Sequence, residues 1–119
     1  MLDKIIRTKA EILKALAHPT RIKIMESLRA GERCVCEIID ELNVEQSNIS
    51  QHLAVLKKLD IVNFRKDGLR VIYEVKHKEI FEILSLLDST ISSQIEENVA
   101  ILNDLKKKDK KVNETKAEL

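Results

Sequence analysis

Cys34 and Cys36 are the only two cysteines in a chain of 119 residues, and both lie in the segment Glu-Arg-Cys-Val-Cys-Glu at 32–37. Thiolates bind soft metal and metalloid ions, and a close pair also supports disulfide chemistry. The backbone decides whether such a pair can act together. On a regular helix, residues i and i+2 lie about 200° apart, so the two sulfurs do not converge on one ion. In an extended segment they point the same way. Residues 32–35 follow Gly31 and precede the apolar-periodic stretch Glu-Ile-Ile-Asp-Glu-Leu at 37–42. Extended backbone is therefore expected there, with Cys36 at the N-cap of the next helix. The dipole at that position would favour its thiolate. An ion held by both sulfurs would then compete with the first turn of that helix. Two other readings stay open: small buried apolar side chains, or a redox pair switched by oxidation or by an intersubunit disulfide.

A second group with chemical capacity is Gln46-Ser47-Asn48-Ile49-Ser50-Gln51-His52. Apart from Ile49, every member can donate or accept a hydrogen bond. Gln and Asn can pair bidentately with adenine, and Ser can serve either type of base. A third group brackets Asp67-Gly68 with Arg65, Lys66 and Arg70. These cations suit phosphates or a narrow minor groove. His52 is equally suited to a local cap or packing role.

The elements that must position these groups follow from periodicity. Residues 2–17 space Leu2, Ile5, Ile6, Ile12, Leu13 and Leu16 as one helix face. His18-Pro19 ends that helix, because the residue before proline is pushed out of helical backbone. Thr20 is the expected N-cap of a second helix, and Gly31 stands where a left-handed C-terminal cap is expected. Residues 37–42 form a short third helix and 43–45 a turn. A fourth helix runs from about Gln46 to Leu59, with Ile49, Leu53, Leu56 and Leu59 inward. Two helices joined by so short a turn make a helix-turn-helix. The β-branched and aromatic residues of 61–75 flank Asp67-Gly68, a hairpin turn signal. The fold class is thus mainly α with a small β-hairpin wing, a winged helix-turn-helix. The start of the fourth helix then enters the major groove, with free amides directed at phosphate. The partner is double-stranded DNA.

From about Lys78 a long helix runs to about Leu105, carrying Ile80, Leu84, Leu87, Ile91, Ile95, Leu102 and Leu105 at steps of mostly three or four. That stripe exceeds what one small domain covers. A homodimer built on the first and last helices is expected. Residues 1–105 therefore form the DNA-binding and dimerisation domain, and 106–119 a charged, disordered tail.

Composition agrees with this plan and excludes several classes. Two glycines and one proline leave little material for a sandwich or barrel, and 34% of residues are charged. A net charge of +1 hides a segregation. Residues 1–30 hold seven Lys/Arg against three Asp/Glu, 31–45 one against five, 46–73 five against two, and 77–105 one against six. Separated charge can give a polyanion-binding face without a high overall pI. The N-terminal segment is amphipathic and charged throughout, unlike a signal peptide, and no apolar run approaches the ~18 residues that span a bilayer. A soluble chain in a reducing cytoplasm, with no membrane partner, is expected. Ser47, Ser50 and His52, or Cys36 with a histidine, lack the orienting group and phosphate loop that an enzyme of this size would need. No catalytic residue is assigned.

Ala-Leu-Ala-His-Pro-Thr-Arg-Ile-Lys-Ile-Met-Glu-Ser-Leu at 15–28, the Cys-Val-Cys-Glu segment, residues 46–62 and the wing at 65–75 together resemble the ArsR/SmtB family of metal-responsive repressors. The resemblance runs through residues 10–76. It implies a homodimeric winged helix that sits on a palindromic operator and is released by an inducer. It also implies that the fourth helix is the recognition helix. Cys-Val-Cys-Glu resembles the arsenite-responsive motif, so As(III) or another soft ion at Cys34 and Cys36 is the implied inducer. Many members place a third cysteine where this chain has Ile39, and cadmium and lead sensors add cysteines from an N-terminal arm that has none here. Zinc sensors use ligands on the last helix, where this chain has His77, Glu79, Thr90 and Ser93, and that pattern is broken. The competing reading is the same fold under thiol redox control, or under no small inducer, with structural cysteines.

Overall fold

The computed structural model describes the backbone of residues 1–118 and the side chains of residues 1–111. Its elements in chain order are α1 (Leu2–Leu16), α2 (Pro19–Ser27), β1 (Arg33–Cys34), α3 (Val35–Leu42), α4 (Gln46–Lys58), β2 (Val62–Asp67), β3 (Arg70–Val75) and α5 (Glu79–Glu118). They fall into two compact units, Met1–Phe81 and the chain from Glu82 onward, with α5 beginning in the first and making up the second.

In the first unit the core is aliphatic. Ile24 and Met25 of α2, Ile38 of α3, Ile49, Leu53 and Leu56 of α4, and Ile61 and Val62 entering β2 are all essentially sealed from solvent. Ile49, Leu53 and Leu56 occupy one face of α4 at steps of four and three, which turns Gln46, Ser47, Asn48, Ser50 and Gln51 outward. Asn43 ends α3 in left-handed backbone (φ 52°), a conformation its short polar side chain tolerates. The turn 43–45 thereby sets α4 against α3.

Several local expectations are corrected. The N-cap of α2 is His18, not Thr20: the His18 Nδ1 accepts from the Thr20 amide at 3.1 Å, and Pro19 takes the first helical position. That position suits proline because its missing N–H has no intrahelical partner there. Gly31 does have positive φ, but α2 already ends at Leu28 in right-handed backbone. The wing is the hairpin β2–β3, and Asp67 pairs with Arg70, so the two-residue turn is Gly68-Leu69, one residue later than the Asp67-Gly68 signal. Gly68 (φ 62°) supplies the left-handed conformation at the first turn position. The sheet also has a third strand. β1 pairs antiparallel with β3, Arg33 opposite Tyr73 and Cys34 opposite Ile72, giving the order β1-β3-β2. Two residues carry no periodicity to detect.

In the second unit α5 is a single helix that continues to Glu118, past the expected end at Leu105. Residues 106–118 are thus helical backbone rather than a disordered tail, and Leu119 lies outside the described residues. Residues 79–118 contain neither glycine nor proline, and lysine and glutamate are good helix formers, so nothing in the sequence stops the helix. Leu86, Leu87, Ile91, Ile95, Val99, Ile101, Leu102 and Leu105 remain exposed along it. Among the described residues, no helix is long and apolar enough to cross a membrane.

Candidate nucleic-acid interface and cysteine site

The first turns of α4 present Gln46, Ser47, Asn48, Ser50 and Gln51 to solvent, while Ile49 between them is fully buried. One apolar residue thus anchors the helix and leaves five hydrogen-bonding side chains outward. Glu45 precedes α4 without a side-chain cap, so the opening amides of the helix carry no protein side chain. Such amides attract phosphate. Lys57 and Lys58 close the helix, and the Lys57 ammonium stands 3.8 Å from the Phe64 ring centroid of β2, a cation–π contact between α4 and the wing.

His52 is placed differently from its neighbours. Half-buried, it turns toward α2: its Nδ1 accepts from Arg21 Nε at 3.2 Å, and its ring lies 4.3 Å from that of His18. Arg21 also donates to the Ala15 carbonyl at 3.1 Å. Burial, and then the nearby charges of His18 and Arg21, hold the His52 pKa below the ordinary histidine value. This cluster ties α4 to the junction of α1 and α2. Its signal in the sequence was His18-Pro19, read there only as a helix end.

On the wing, Arg65, Lys66 and Arg70 are all exposed. Two of them already hold carboxylates. Arg65 donates to Glu32 at 2.8 Å and Arg70 to Glu37 at 3.0 Å. The hydrogen bond from Arg65, reinforced by its charge, lowers the Glu32 pKa. The acidic block at 31–45 is thus partly neutralised by the wing, which sequence alone did not pair.

The cysteines sit where β1 becomes α3. Cys34, not Cys36, is the N-cap: extended (φ −65°, ψ 145°) and only 4% exposed, it accepts on Sγ from the Cys36 amide at 3.2 Å. Glu37 completes a capping box by accepting from the Cys34 amide at 3.2 Å. Cys36, inside the first turn, is exposed. The two sulfurs nevertheless converge, and they are joined as a disulfide with the Cα atoms 5.2 Å apart. The reason is the cap itself. An N-cap side chain folds back over the next two residues to reach their amides, which carries Sγ of Cys34 onto Cys36. The 200° separation of an ideal helix does not apply, because one partner stands outside the helix.

The pair opens into a groove of about 470 Å³. Val35 and Ile39 of α3, Gln46, Ser50 and Leu53 of α4, and Leu69, Arg70, Val71 and Tyr73 of the wing share its walls with the two cysteines. Burial pushes the Tyr73 phenol pKa up. Two of the base-reading candidates and one wing cation therefore border the same cavity as the sulfurs. Among the described residues no group of three or more His, Cys, Asp or Glu is arranged to hold a metal, and with both sulfurs in the disulfide these residues include no free thiol.

A buried-core helix-turn-helix whose second helix turns a polar face outward, followed by a hairpin wing in a three-stranded sheet, defines a winged-helix DNA-binding protein. The pattern described as "Bacterial regulatory protein, arsR family" matches residues 18–63. The HTH-type transcriptional regulator Rv0081 of Mycobacterium tuberculosis is 36% identical over 105 residues, covering 87% of this chain and 92% of that protein. Its crystal structure superposes with a TM-score of 0.72 at 35% identity, over 80% of this chain and 96% of that one. The arsenical resistance operon repressor of Staphylococcus xylosus is 32% identical over 77 residues, 65% of this chain and 74% of the repressor. The solution structure of a homodimeric winged helix-turn-helix domain from Mycobacterium bovis gives a TM-score of 0.71 at 26% identity, over 79% of this chain and 87% of that domain. The chain belongs to the arsR family of bacterial regulatory proteins. It is a DNA-binding transcriptional regulator and not an enzyme.

Proposed function

We propose that the protein is a cytoplasmic, homodimeric transcriptional repressor that leaves a palindromic operator when As(III) or another thiophilic ion binds Cys34 and Cys36. The observation that carries this reading is the groove. The two sulfurs converge on its wall beside Gln46 and Ser50 of the recognition helix and Arg70 of the wing, so a ligand there adjoins the DNA-reading surface. Gln46, Ser47, Asn48, Ser50 and Gln51 read base edges, Arg65, Lys66 and Arg70 meet phosphate, and His52 contributes by seating α4 on α2. Dimerisation through α1 and α5 is supported by their apolar faces. Leu2, Ile5, Ile6 and Leu13 of α1 are exposed, as is the stripe from Leu86 to Leu105 of α5. The similarity to an arsenical resistance operon repressor supports the inducer class, and the homodimeric relative supports the assembly.

In the reduced chain two thiolates hold the ion, and a water, an external thiol, a nearby carboxylate such as Glu37 or a ligand from the other subunit fills out its coordination. Binding sets the ion against the capping box, because Cys34 Sγ and the Cys34 amide are both part of it. Loss of that cap loosens the start of α3 and with it the setting of α4.

The test is to titrate the reduced protein with As(III), and separately with Cd(II), Pb(II) and Zn(II), while following ultraviolet ligand-to-metal charge-transfer absorption. A saturable band at one ion or fewer per chain, absent from the Cys34→Ser/Cys36→Ser protein, is expected. No band with any ion would remove metal sensing and leave the DNA-binding assignment standing.

A further inference from the structure

Cys34 and Cys36 have unequal surroundings. Both line the groove, but Cys34 is buried in β1 and its Sγ receives the Cys36 amide, whereas Cys36 is exposed. Their disulfide spans a sequence separation of only two residues. So short a loop removes little chain entropy from the unfolded state, so the bond contributes little to holding the fold. A disulfide with one cysteine open to solvent, as here at Cys36, is of the labile, regulatory kind. From this asymmetry we infer that the pair is a thiol–disulfide exchange site for low-molecular-weight disulfides, with Cys36 as the entry sulfur and Cys34 as the resolving one. The inference deepens the reading of this groove as the sensing site by adding a second class of ligand to it.

The steps balance as follows. The Cys36 thiolate attacks one sulfur of a small disulfide RSSR, forming Cys36–S–S–R and expelling RS⁻. Cys34 thiolate then attacks Cys36 Sγ, forming the Cys34–Cys36 bond and expelling the second RS⁻, which takes up a proton. The protein dithiol loses two electrons and two protons, and RSSR becomes two RSH. In reverse, an external thiolate attacks exposed Cys36 Sγ. Cys34 then leaves as a thiolate at the positive end of α3, where the Cys36 amide already points at its sulfur. In the intermediate the R group lies in the groove between α4 and the wing, against Ser50, Leu69 and Tyr73. The disulfide form has no thiolate left for a soft ion. The small-thiol redox poise therefore sets how much of the protein can respond to a metal.

The experiment uses the full chain, reduced, with oxidised glutathione as the probe, followed by intact mass, peptide mapping and fluorescence. The chain has one tyrosine and no tryptophan, so its intrinsic fluorescence reports Tyr73 on the groove wall. Cys34→Ser keeps an oxygen that can cap α3, so that variant retains its fold. It should accumulate a glutathione adduct on Cys36 and change its Tyr73 emission. Cys36→Ser should be modified on the order of tenfold more slowly, in keeping with the burial of its remaining sulfur. The wild type should pass through the adduct to the internal disulfide and lose its As(III) band, and excess reduced glutathione should restore the band. Equal or faster modification of Cys36→Ser, or a wild type that stops at the mixed disulfide, would overturn the assignment. The outcome stays separable from the metal reading: a chain that exchanges as described but gives no ion band when reduced would fail only the latter.

Discussion

The two helices of the helix-turn-helix begin in opposite ways. α3 opens closed on itself: Cys34 caps it from a strand, Glu37 returns to the Cys34 amide, and Arg70 of the wing holds Glu37. α4 opens bare, with no side-chain cap and an outward row of amide and hydroxyl side chains. A helix start whose amides are satisfied internally can be disturbed by whatever removes the cap. A helix start left unsatisfied is available to an external anion. On the function proposed above, sensing falls to the first and DNA contact to the second, and residues from both line one groove.

The largest effect should come from removing what anchors the bare helix. Ile49 is fully buried, so Ile49→Ala should lower stability by roughly 2–5 kcal/mol in chemical denaturation and weaken DNA binding with it. Changing the exposed neighbours should do the reverse, sparing stability and altering recognition. Gln46→Ala or Asn48→Ala should relax preference at one operator position by about 1–3 kcal/mol per lost bidentate pair, read by competition binding. Unchanged preference would place base reading elsewhere. At the closed helix, Glu37→Gln should cost about 1 kcal/mol or less of stability by weakening the capping box. Arg65→Ala with Arg70→Ala should weaken binding to all DNA alike and reduce the salt slope by about one to two units.

The smallest effect concerns His52. Its folded-state pKa lies below the unfolded one, so the unfolded chain takes up its proton first as pH falls. The stability contributed by neutral His52 is present above about pH 6.5 and is lost as pH falls below that value. His52→Gln should flatten the dependence in urea unfolding at pH 5 against pH 8. An unaltered pH profile would place the acid-sensitive group elsewhere.

The sequence carried the recognition helix clearly, because an apolar residue every three or four positions amid polar ones leaves one face to bury. Ile49, Leu53 and Leu56 are buried as that spacing requires. It carried the hairpin too, one residue out of register, since Gly68 marks a positive φ without saying which turn position it fills. It carried extended backbone at Arg33–Cys34, but not its pairing as β1 with Ile72 and Tyr73 far along the chain. That strand is why Cys34 rather than Cys36 caps α3. Nor did it carry Glu32 with Arg65 or Glu37 with Arg70, since each pair is 33 residues apart in sequence. The extension of α5 through 106–118 was missed because charge without apolar periodicity was read as disorder, although helix propensity needs no apolar face.

The central claim is that an ion at the closed helix start controls DNA binding at the bare one. The direct measurement is selection of DNA from a random duplex library by the reduced protein, repeated with saturating As(III), for the wild type and for Cys34→Ser/Cys36→Ser. The account predicts a two-fold symmetric sequence that is enriched by both proteins and lost with As(III) only from the wild type. Retention of that sequence by the As(III)-saturated wild type would contradict it.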